Sequence, residues 1–417
     1  MAEVTFPQLI QRACGIDVHL KVVVATIDGA GIQRETRSFK TFTSSLNELK
    51  EWLLSNGVTH VGMESTGVYW KPVYKVLEDS IPNVWIVNAR HIKNVPGHKT
   101  DKMDSEWICK LLLAGLLKPS YIPPKEQRQL RDLTRYRNKL IQQIASEKNR
   151  MMRILEDCNI KLSSVVSNTS GATATSLIDM LCEGKVLTLD DINSVYHGKL
   201  SASPEELLEA CTGFVEEHHI YLLQMIRKDI DQTQTLVDDL SERIKRLLSK
   251  YENVLELLRE IPGFSTKVVE DLVSEIGLDM SHFPSEKHLS SWAGLSPGNN
   301  ESAGKKKRTN THGNKQVKAV ITEAAWAATR TKNTFFSERY HRIAARRGKK
   351  RALIAVGHSQ LISVYLILST GSRYHELGAQ YMQSKIEQKR KVYLSSELKK
   401  LGYNVSLTKV PQAVTLN

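Results

Sequence analysis

Hydrophobic positions in the first 120 residues alternate between short apolar runs and stretches with helical spacing. Strand-like runs lie near residues 13–18, 21–27, 59–63 and 84–87, and Thr36 to Phe42 is a further candidate for an edge strand. Helical spacing occurs near residues 44–55, 70–79 and 103–117. Because strands are followed by helices, the pattern predicts an α/β layer fold.

The order of these elements narrows the fold further. Two or three consecutive strands before the first helix are the order of an RNase H-like domain. A Rossmann fold needs a glycine-rich turn after its first strand, and Asp17-Val-His-Leu20 does not provide one. We therefore expect an RNase H-like α/β domain that ends at the proline-containing segment Pro119 to Pro124.

Two long helical patterns follow. The first runs from Gln127 to about Asp157, with its heptad interrupted at Arg137 and Glu147. The second has an unbroken 4–3 spacing of apolar positions from Leu223 to Leu258. This spacing predicts a long coiled coil. The helices either form an antiparallel hairpin, with a small helical insert near residues 160–217 at its tip, or dimerise.

The remaining C-terminal part is predicted to be mainly α-helical and carries the excess charge. The chain has a formal net charge of +13, and the segment Lys305–Arg351 alone holds fifteen Lys and Arg against two Glu. A localised basic surface indicates a polyanionic partner. A solvated, disordered basic run is the alternative. We favour an ordered nucleic-acid surface because Ala319 to Ala328 inside the block has the pattern of an apolar helix.

The cysteines and the apolar runs indicate in which cellular compartment the protein is located. The five cysteines are scattered without a CxxC pair, which argues against a disulfide framework and a zinc site. No signal peptide and no run long enough to span a bilayer are evident. The apolar segment Ala352 to Leu368 is interrupted by Gly357-His-Ser359 and is predicted to be a buried helix. We expect a cytoplasmic protein.

Four acidic residues provide candidate chemistry. Asp17 lies at the first strand, Glu64 follows a later strand, and Asp101 and Asp104 stand three apart at the start of a helical stretch, where they would share a face. Oxygen ligands of this kind favour a hard divalent cation, Mg²⁺ or Mn²⁺. Acids at a helix start can also simply complement the helix dipole. The two acids at strand ends favour the metal site, which suits cleavage of phosphodiesters.

A serine beside a cationic run is the second candidate. Ser302 lies in a polar loop and is followed by Lys305, Lys306, Lys307 and Arg308. Cations beside a hydroxyl group stabilise the charge that develops when it attacks a phosphate. On its own, the position favours an ordinary loop serine over a nucleophile.

Short motifs across residues 11–370 resemble the transposases of the IS110/IS1111 insertion-sequence family. The N-terminal motifs are Gly15-Ile-Asp-Val-His19, Met63-Glu-Ser-Thr-Gly-Val-Tyr69, Asn88-Ala-Arg-His91 and Lys99-Thr-Asp-Lys-Met-Asp104. The C-terminal motifs are Ile261-Pro-Gly263, Trp292-Ala-Gly-Leu-Ser-Pro297, Ser302-Ala-Gly-Lys305 and Gly313-Asn-Lys315. The resemblance implies a RuvC-like domain with the tetrad Asp17, Glu64, Asp101 and Asp104, and a C-terminal transposase domain with a nucleophilic serine.

That resemblance also implies a mechanism and partners. The protein would be a DNA recombinase that cuts and rejoins strands in a metal-dependent reaction through a phosphoserine link. A structured noncoding bridge RNA would pair with donor and target DNA. Dimers would pair as tetramers, with the metal site of one protomer and the serine of another forming a composite site. The family usually has glycine directly after the serine, whereas Ala303 precedes Gly304 here; Ser302 keeps the expected distance from Pro297, and Ser296 is the alternative.

We therefore predict four regions: a RuvC-like domain over residues 1–123, coiled-coil arms over 124–260, a transposase domain over 261–384 and a charged tail over 385–417. The candidate phosphate contacts are Lys305, Lys306, Lys307, Arg308, Lys315, Arg342, Arg346, Arg347, Lys349, Lys350 and Arg351. A RuvC-like structure-specific endonuclease that uses the tetrad without the serine is the alternative function. A non-catalytic nucleic-acid scaffold is the third, and the four acids speak against it.

Overall fold

The computed structural model of the protein describes residues 8–65, 67–88, 104–197, 200–296, 300–302, 305–307 and 313–407. For residues 300–302, 305–307, 382, 383 and 386 it describes the backbone only. Two of the predicted site residues, Asp101 and Arg308, lie outside the described residues. The chain divides into two compact units, Met1–Pro123 and Pro124–Asn417.

The first unit contains a five-stranded sheet of order β3-β2-β1-β4-β5. Its strands are β1 (Arg12–Val18), β2 (Val22–Gly29), β3 (Glu35–Lys40), β4 (His60–Glu64) and β5 (Asn83–Val87), and its described helices are α1 (Thr43–Ser55), α2 (Trp70–Leu77) and α3 (Asp104–Leu113). The first three strands are antiparallel neighbours, and β1, β4 and β5 run parallel. This is the RNase H-like order, so the predicted fold class and the edge strand are confirmed.

The alternation of side chains gives this sheet two different faces. On β1 and β4, Ile16 and Met63 point into one core together with apolar residues of α1 and α2. The alternate positions point to the opposite face, where Ile108 and Leu112 of α3 form a second core with Ala13. Helix α3 therefore covers the face that also carries Asp17 and Glu64.

Two glycines let α3 approach this face closely. Gly15 of β1 and Gly62 of β4 are register partners in the sheet. A Cβ atom on Gly15 would lie 2.1 Å from the carbonyl oxygen of Ser105 and 2.3 Å from the backbone nitrogen of Cys109. The hydroxyl group of Ser105 is also hydrogen-bonded to that of Thr26 on β2, at 2.9 Å. These contacts fix the first turn of α3 against the centre of the sheet.

The described residues of the second unit are almost entirely helical. Its helices are α4 (Lys125–Asp157), α5 (Leu162–Val165), α6 (Ala172–Cys182), α7 (Leu189–Val195), α8 (Pro204–Ala210), α9 (Glu217–Leu248), α10 (Glu252–Arg259), α11 (Thr266–Ile276), α12 (Glu286–Trp292), α13 (Lys315–Ala328), α14 (Phe335–Arg347), α15 (Lys349–Thr370) and α16 (Gln380–Lys400). A short ribbon of β6 (Asn300–Ser302) and β7 (Lys305–Lys307) interrupts them.

The two long helices α4 and α9 form an antiparallel hairpin. Lys250, just after α9, forms a salt bridge of 2.7 Å with Glu126 at the start of α4. At the other end, His219 at the start of α9 lies 3.3 Å from Asp157 at the end of α4. The small helices α5 to α8 lie between these ends and share a core with both. The hairpin with an inserted tip is therefore the arrangement observed within the chain.

The heptad interruption at Arg137 has a tertiary cause. Arg137 is only 3% exposed, and its guanidinium group forms salt bridges of 2.6 Å with Glu270 and 2.8 Å with Asp271, two buried acids of α11. The neighbouring Asn138 also donates a hydrogen bond to Asp271. A charge at this position therefore docks the hairpin onto the C-terminal helices instead of extending its apolar seam.

The predicted continuous seam from Leu223 to Leu258 is wrong beyond Leu247. Helix α9 ends at Leu248, and a 3₁₀ turn over Ser249–Tyr251 separates it from α10. Such a turn winds the chain more tightly and rotates the following residues about the helix axis. As a result, Tyr251 is exposed, and Leu255 and Leu258 pack in the C-terminal core.

The C-terminal core confirms the two predicted apolar helices. Helix α13 spans the segment around Ala319 to Ala328, and α15 spans Ala352 to Leu368. By length and composition α15 could cross a membrane, so the expectation that no such run exists is wrong. Its buried residues Val356, Leu361 and Val364 nevertheless pack into the core of the second unit, as predicted for a buried helix.

The charged C-terminal segment is more ordered than its composition suggests. The sequence places a polar tail after residue 384, whereas the structure has helix α16 over Gln380–Lys400. Its described side chains are largely exposed, and the ring of Tyr381 contacts Phe335 of α14 at a centroid distance of 6.0 Å. Straight-chain residues such as Gln, Lys and Glu support a helix without burial, which accounts for the difference.

Candidate functional site

Three of the four predicted acids lie on one face of the first unit. The last paired residues of the parallel strands β1 and β4 are Ile16 and Met63, and the next residues are Asp17 and Glu64. Each acid is two positions beyond a glycine that faces α3, so both point to the face that α3 covers. Asp104 is the first residue of α3, at the same face. The predicted place of Asp101 on the same helix face as Asp104 stays a prediction.

The carboxylate of Asp17 has a described partner. His19 Nε2 lies 2.8 Å from Asp17 Oδ2, and the side chain of His19 is 59% exposed. This contact fits a role for His19 in supporting the acid, and the exposure of its side chain excludes a role in core packing. The short spacing Asp17-Val-His19 was the available signal, because alternate residues at a strand end project to the same side.

The donor chemistry of this face fits a divalent cation. Asp17 and Glu64 present carboxylate oxygens at the ends of adjacent strands, and Asp104 adds a third from the covering helix. Like charges gathered in this way repel one another unless a cation lies among them. Oxygen ligands alone suit Mg²⁺ or Mn²⁺ rather than the softer metals that thiolates or imidazoles select.

Sequence reasoning missed the chain of hydroxyl groups beneath this face. Thr26 and Ser105 are both buried, and Thr26 is hydrogen-bonded to Ser105 and to Thr36, each at 2.9 Å. The chain connects β3 and β2 to the residue that follows Asp104. Thr26 interrupts the apolar run from Val22 to Ile27, and that interruption was the signal of a buried polar partner.

The buried thiols near the acids are not alternative nucleophiles. Burial raises the pKa of the Cys109 thiol to about 12, and burial also raises the pKa of Cys14 well above its ordinary value. Both side chains are at most 1% exposed. Neutral, inaccessible thiols do not attack phosphates.

Ser302 lies in the second unit, at the end of β6. The two short strands β6 and β7 pair antiparallel, with Ser302 opposite Lys305. The sequence predicted a polar loop here, whereas the structure pairs two short strands, Asn300–Ser302 and Lys305–Lys307. The backbone of Lys305, Lys306 and Lys307 forms the strand next to the serine.

The ends of the segment that carries this ribbon are held together. A Cβ atom on Gly313 would lie 2.2 Å from the backbone nitrogen of Gly294, so the two glycines are in close contact. The backbone nitrogen of Asn314 donates to the carbonyl oxygen of Trp292 at 3.0 Å. The Asn314 side chain caps α13 and also donates to Glu275 Oε2 at 2.9 Å. The two motifs that flank Ser302 therefore close the base of its loop.

Helix α11 connects this base to the hairpin arm. Glu275 accepts hydrogen bonds from Arg135 Nε at 2.6 Å and from Arg135 Nη2 at 3.0 Å. Its carboxylate is 3% exposed, whereas the Arg135 side chain is 46% exposed. These bonds raise the pKa of the Arg135 guanidinium group. A buried carboxylate thus joins α4 to the residue that closes the serine loop.

The predicted basic residues fall into two described groups. Lys315 is the exposed first residue of α13, next to the base of the serine loop. The second group is on and after α14: Arg342 is half-buried on that helix, and the other five lie at one corner, where α14 ends and α15 begins, namely Arg346, Arg347, Lys349, Lys350 and Arg351. Gly348, with φ +84°, makes the turn between them. All five side chains are exposed, and no acid interrupts the run.

The fold and its acids define a nucleic-acid phosphotransferase with an RNase H-like domain of the DEDD type. A family model described as DEDD transposase of the IS110 type matches residues 14–160. A second, described as Transposase IS116/IS110/IS902 family, matches residues 255–341. The two matched segments cover more than half of the chain, which belongs to the IS110 family of transposases. No curated protein matches the chain.

Membership of this family defines the activity in outline. The protein is a transposase, an enzyme of phosphoryl transfer that binds DNA and uses a divalent metal. The first match contains nearly all of the RNase H-like unit and the whole of α4, and the second contains the serine ribbon. The predicted family and class of enzyme are thereby confirmed.

Proposed function

We propose that this transposase cuts and rejoins DNA strands through a covalent link to Ser302. The Ser302 Oγ attacks the scissile phosphorus; the new O–P bond forms as the bond to the leaving sugar oxygen breaks. The serine proton leaves to solvent or a nearby base. Because the energy of the phosphodiester is kept in the link, a second sugar hydroxyl group can reverse the step without ATP.

One observation carries this proposal. Ser302 ends a short strand, opposite Lys305, on a loop whose base is closed by Gly294, Gly313 and Asn314. A serine on a held loop, paired in register with a strand of three lysines, suits attack on a phosphate, since cations offset the charge that develops on the phosphoryl oxygens. Ser296, which is half-buried before the ribbon, is the less favoured nucleophile.

The acidic face would supply the metal-dependent part of the reaction. Asp17, Glu64, Asp101 and Asp104 would hold Mg²⁺ or Mn²⁺, and a bound cation of this kind neutralises charge at the scissile phosphate. His19 would orient the Asp17 carboxylate through its 2.8 Å contact. The serine and the acids belong to different units of the chain, which is compatible with a composite site built from two protomers.

The partners follow from the same proposal. A noncoding bridge RNA would choose donor and target DNA by base pairing, while the protein contacts backbone and shape. The exposed corner of Arg346, Arg347, Lys349, Lys350 and Arg351, together with Lys315 and the strand Lys305–Lys307 with Arg308, would bind phosphates. We further propose that dimers assemble to tetramers in the cytoplasm.

A denaturing gel tests the serine link directly. Purified protein is incubated with Mg²⁺, labelled DNA of the element ends and RNA from the noncoding flank of the element. Wild type, Ser302→Ala, Ser296→Ala and Asp104→Ala are compared. We expect a covalent protein–DNA adduct with wild type and with Ser296→Ala, and none with Ser302→Ala or Asp104→Ala.

The other outcomes point to different mechanisms. An adduct that persists in Ser302→Ala and disappears in Ser296→Ala would move the nucleophile to Ser296. Cleavage without any adduct, abolished by Asp104→Ala alone, would identify a RuvC-like endonuclease that hydrolyses DNA. Omitting the RNA from the wild-type reaction tests the guide, because unchanged, site-specific products would exclude an RNA requirement.

A further inference from the structure

A cluster of two arginines and one histidine lies between α14 and α15, apart from the exposed basic corner. Arg339 and Arg342 stand one turn apart on α14, so they share a face of that helix. His358 lies on α15, which packs against α14. All three side chains are half-buried, unlike the exposed residues at the corner. This cluster is hereafter the Arg339 cluster.

The two arginines lack a counterion within the described part of the chain. The Nε atom of Arg339 and that of Arg342 are both buried without a hydrogen-bond partner there. The Arg339 guanidinium carbon lies 5.9 Å from the centre of the Phe335 ring, which covers one side of the group but accepts no N–H hydrogen bond in its plane. Buried N–H donors without acceptors are costly, so native proteins rarely retain them without a reason.

Electrostatics within the cluster are unfavourable for the protein alone. Burial and the charge of Arg342 lower the pKa of Arg339. Burial and the charge of Arg339 likewise lower the pKa of His358. Both shifts mean that the surroundings disfavour positive charge, and a bound anion would reverse this.

We propose that the Arg339 cluster is a half-buried binding site for one phosphate group of the DNA backbone. The planar guanidinium groups of Arg339 and Arg342 offer fixed N–H donors that suit phosphate oxygens. His358 adds a ring nitrogen that can donate a further hydrogen bond. The exposed cations at the corner contribute general attraction, whereas a site with fixed, partly buried donors holds one phosphate in a defined position and so sets the register of the DNA.

Removing the Arg339 charge should raise the thermal stability of the protein and lower its affinity for DNA. Arg339→Met keeps the apolar stem that packs on Phe335 and removes a charge without a counterion. In chloride buffer without DNA, the Tm of this variant should rise by about 2–4 °C. Its DNA affinity should fall, and the slope of log K against log salt should decrease by about 0.9. A purely structural arginine would instead give a lower Tm and an unchanged slope.

Two further variants complete the test. Arg342→Gln should decrease the slope of log K against log salt by about the same amount. It replaces Arg339→Met in the test if that variant does not fold. Lys332→Gln removes one exposed charge from the turn before α14 and should leave the slope unchanged. Binding is measured on the full-length protein with a duplex oligonucleotide at several salt concentrations, and Tm with and without inorganic phosphate at constant ionic strength.

The phosphate series separates the possible ligands. Phosphate should raise the Tm of wild type and leave that of Arg339→Met unchanged. A different result is that phosphate raises the Tm of wild type while neither arginine variant changes the slope of log K for DNA against log salt. That result would assign the cluster to a free anion and overturn the proposed DNA site. An unchanged slope together with a lower Tm in both variants would make the arginines structural. The test depends on DNA binding alone, so the absence of a serine adduct does not affect it.

Discussion

Asp17 and Glu64 follow directly after the register pair Ile16 and Met63, on two adjacent parallel strands. Neighbouring strands lie about 4.8 Å apart, so two carboxylates that leave the same face at this point are near neighbours. Helix α3 starts above them with Asp104. The location of the acids thus follows from the register of β1 and β4, and it does not depend on any loop conformation.

Neutralising either strand acid should abolish strand cleavage without unfolding the protein. We expect Asp17→Asn and Glu64→Gln to lower the Mg²⁺-dependent cleavage rate by about 100-fold or more, because each removes charge that would hold the metal. Both carboxylates are partly exposed, so the Tm should change little. Glu51→Gln, an exposed acid of α1, is the control. Cleavage at the wild-type rate in both variants would exclude these acids from the site.

The paired glycines beneath α3 should differ in their tolerance of a methyl group. Alanine at Gly15 meets backbone atoms of Ser105 and Cys109, which cannot move without shifting α3. Alanine at Gly62 meets the side-chain ends of Leu112 and Ile108 at 3.2 and 3.3 Å. Overpacking costs roughly 1–3 kcal/mol, and we expect Gly15→Ala at or above that range and Gly62→Ala near its lower end. Denaturant unfolding gives both values, and equal losses would contradict the close approach of α3.

The buried salt bridges of Arg137 should be essential to the second unit. Arg137→Ala leaves Glu270 buried without its partner and leaves Asp271 only its contacts with Lys267 and Asn138; breaking a buried ion pair in this way typically costs about 3–5 kcal/mol. The matched control is Arg246→Ala on the same hairpin, because Arg246 pairs with Glu242 at the exposed surface, at 3.6 Å. That loss should stay within about 1 kcal/mol. The free energies of unfolding from urea titrations provide the comparison, and similar losses would exclude a docking role for Arg137.

The cysteines should be unreactive in the folded protein. All five are buried and free, and burial raises the pKa of Cys182 and Cys211 to about 11 and that of Cys109 to about 12. At pH 8 the thiolate fraction of these three is then about one in a thousand or less. A thiol reagent should label the protein rapidly in urea and slowly without it. Rapid labelling of the native protein would show that at least one thiol is accessible.

The same thiols also give stability a dependence on pH. Their folded pKa values exceed the ordinary value of 9.0, so the folded state favours the protonated thiol. Their contribution is fully present below pH 9 and is lost as the pH rises from about 9 towards about 11. Unfolding midpoints measured from pH 8 to pH 11 should therefore fall, and the decline should be smaller in a Cys182→Ala variant.

Much of the fold could be predicted because its signals are local. The alternation of Ile16 with Gly15 and Asp17 identifies a strand with two different faces, and the spacing from Leu223 to Leu247 identifies a helix with one apolar seam. The acids could be chosen because Asp17 and Glu64 end such strands. Their common face also follows from period-two alternation, once the parallel register of β1 and β4 is known.

The features that were missed depend on partners far away in sequence. In the sequence, Arg137 only interrupts a heptad pattern. Its partners Glu270 and Asp271 lie more than 130 residues away, and only the fold brings them to it. After Leu248 a 3₁₀ turn breaks the helix, and Leu255 then packs in the same C-terminal core as Ile244 and Leu248; spacing alone does not reveal this turn. Likewise, a polar run around Ser302 gives no sign that Gly294 and Gly313 meet at its base.

The antiparallel hairpin of α4 and α9 holds the small helices at its tip far from its base. The first residues of α4 and the residues just after α9 lie together at the base of the hairpin, where Glu126 pairs with Lys250. From this base, the 33 residues of α4 extend about 50 Å. The helices from Leu162 to Ala210 join the chain only at the far end. A change in the size of this helical segment would therefore leave the contacts at the base of the hairpin in place. In this protein, the lengths of α4 and α9 therefore set the distance between the base of the hairpin and the helices at its tip.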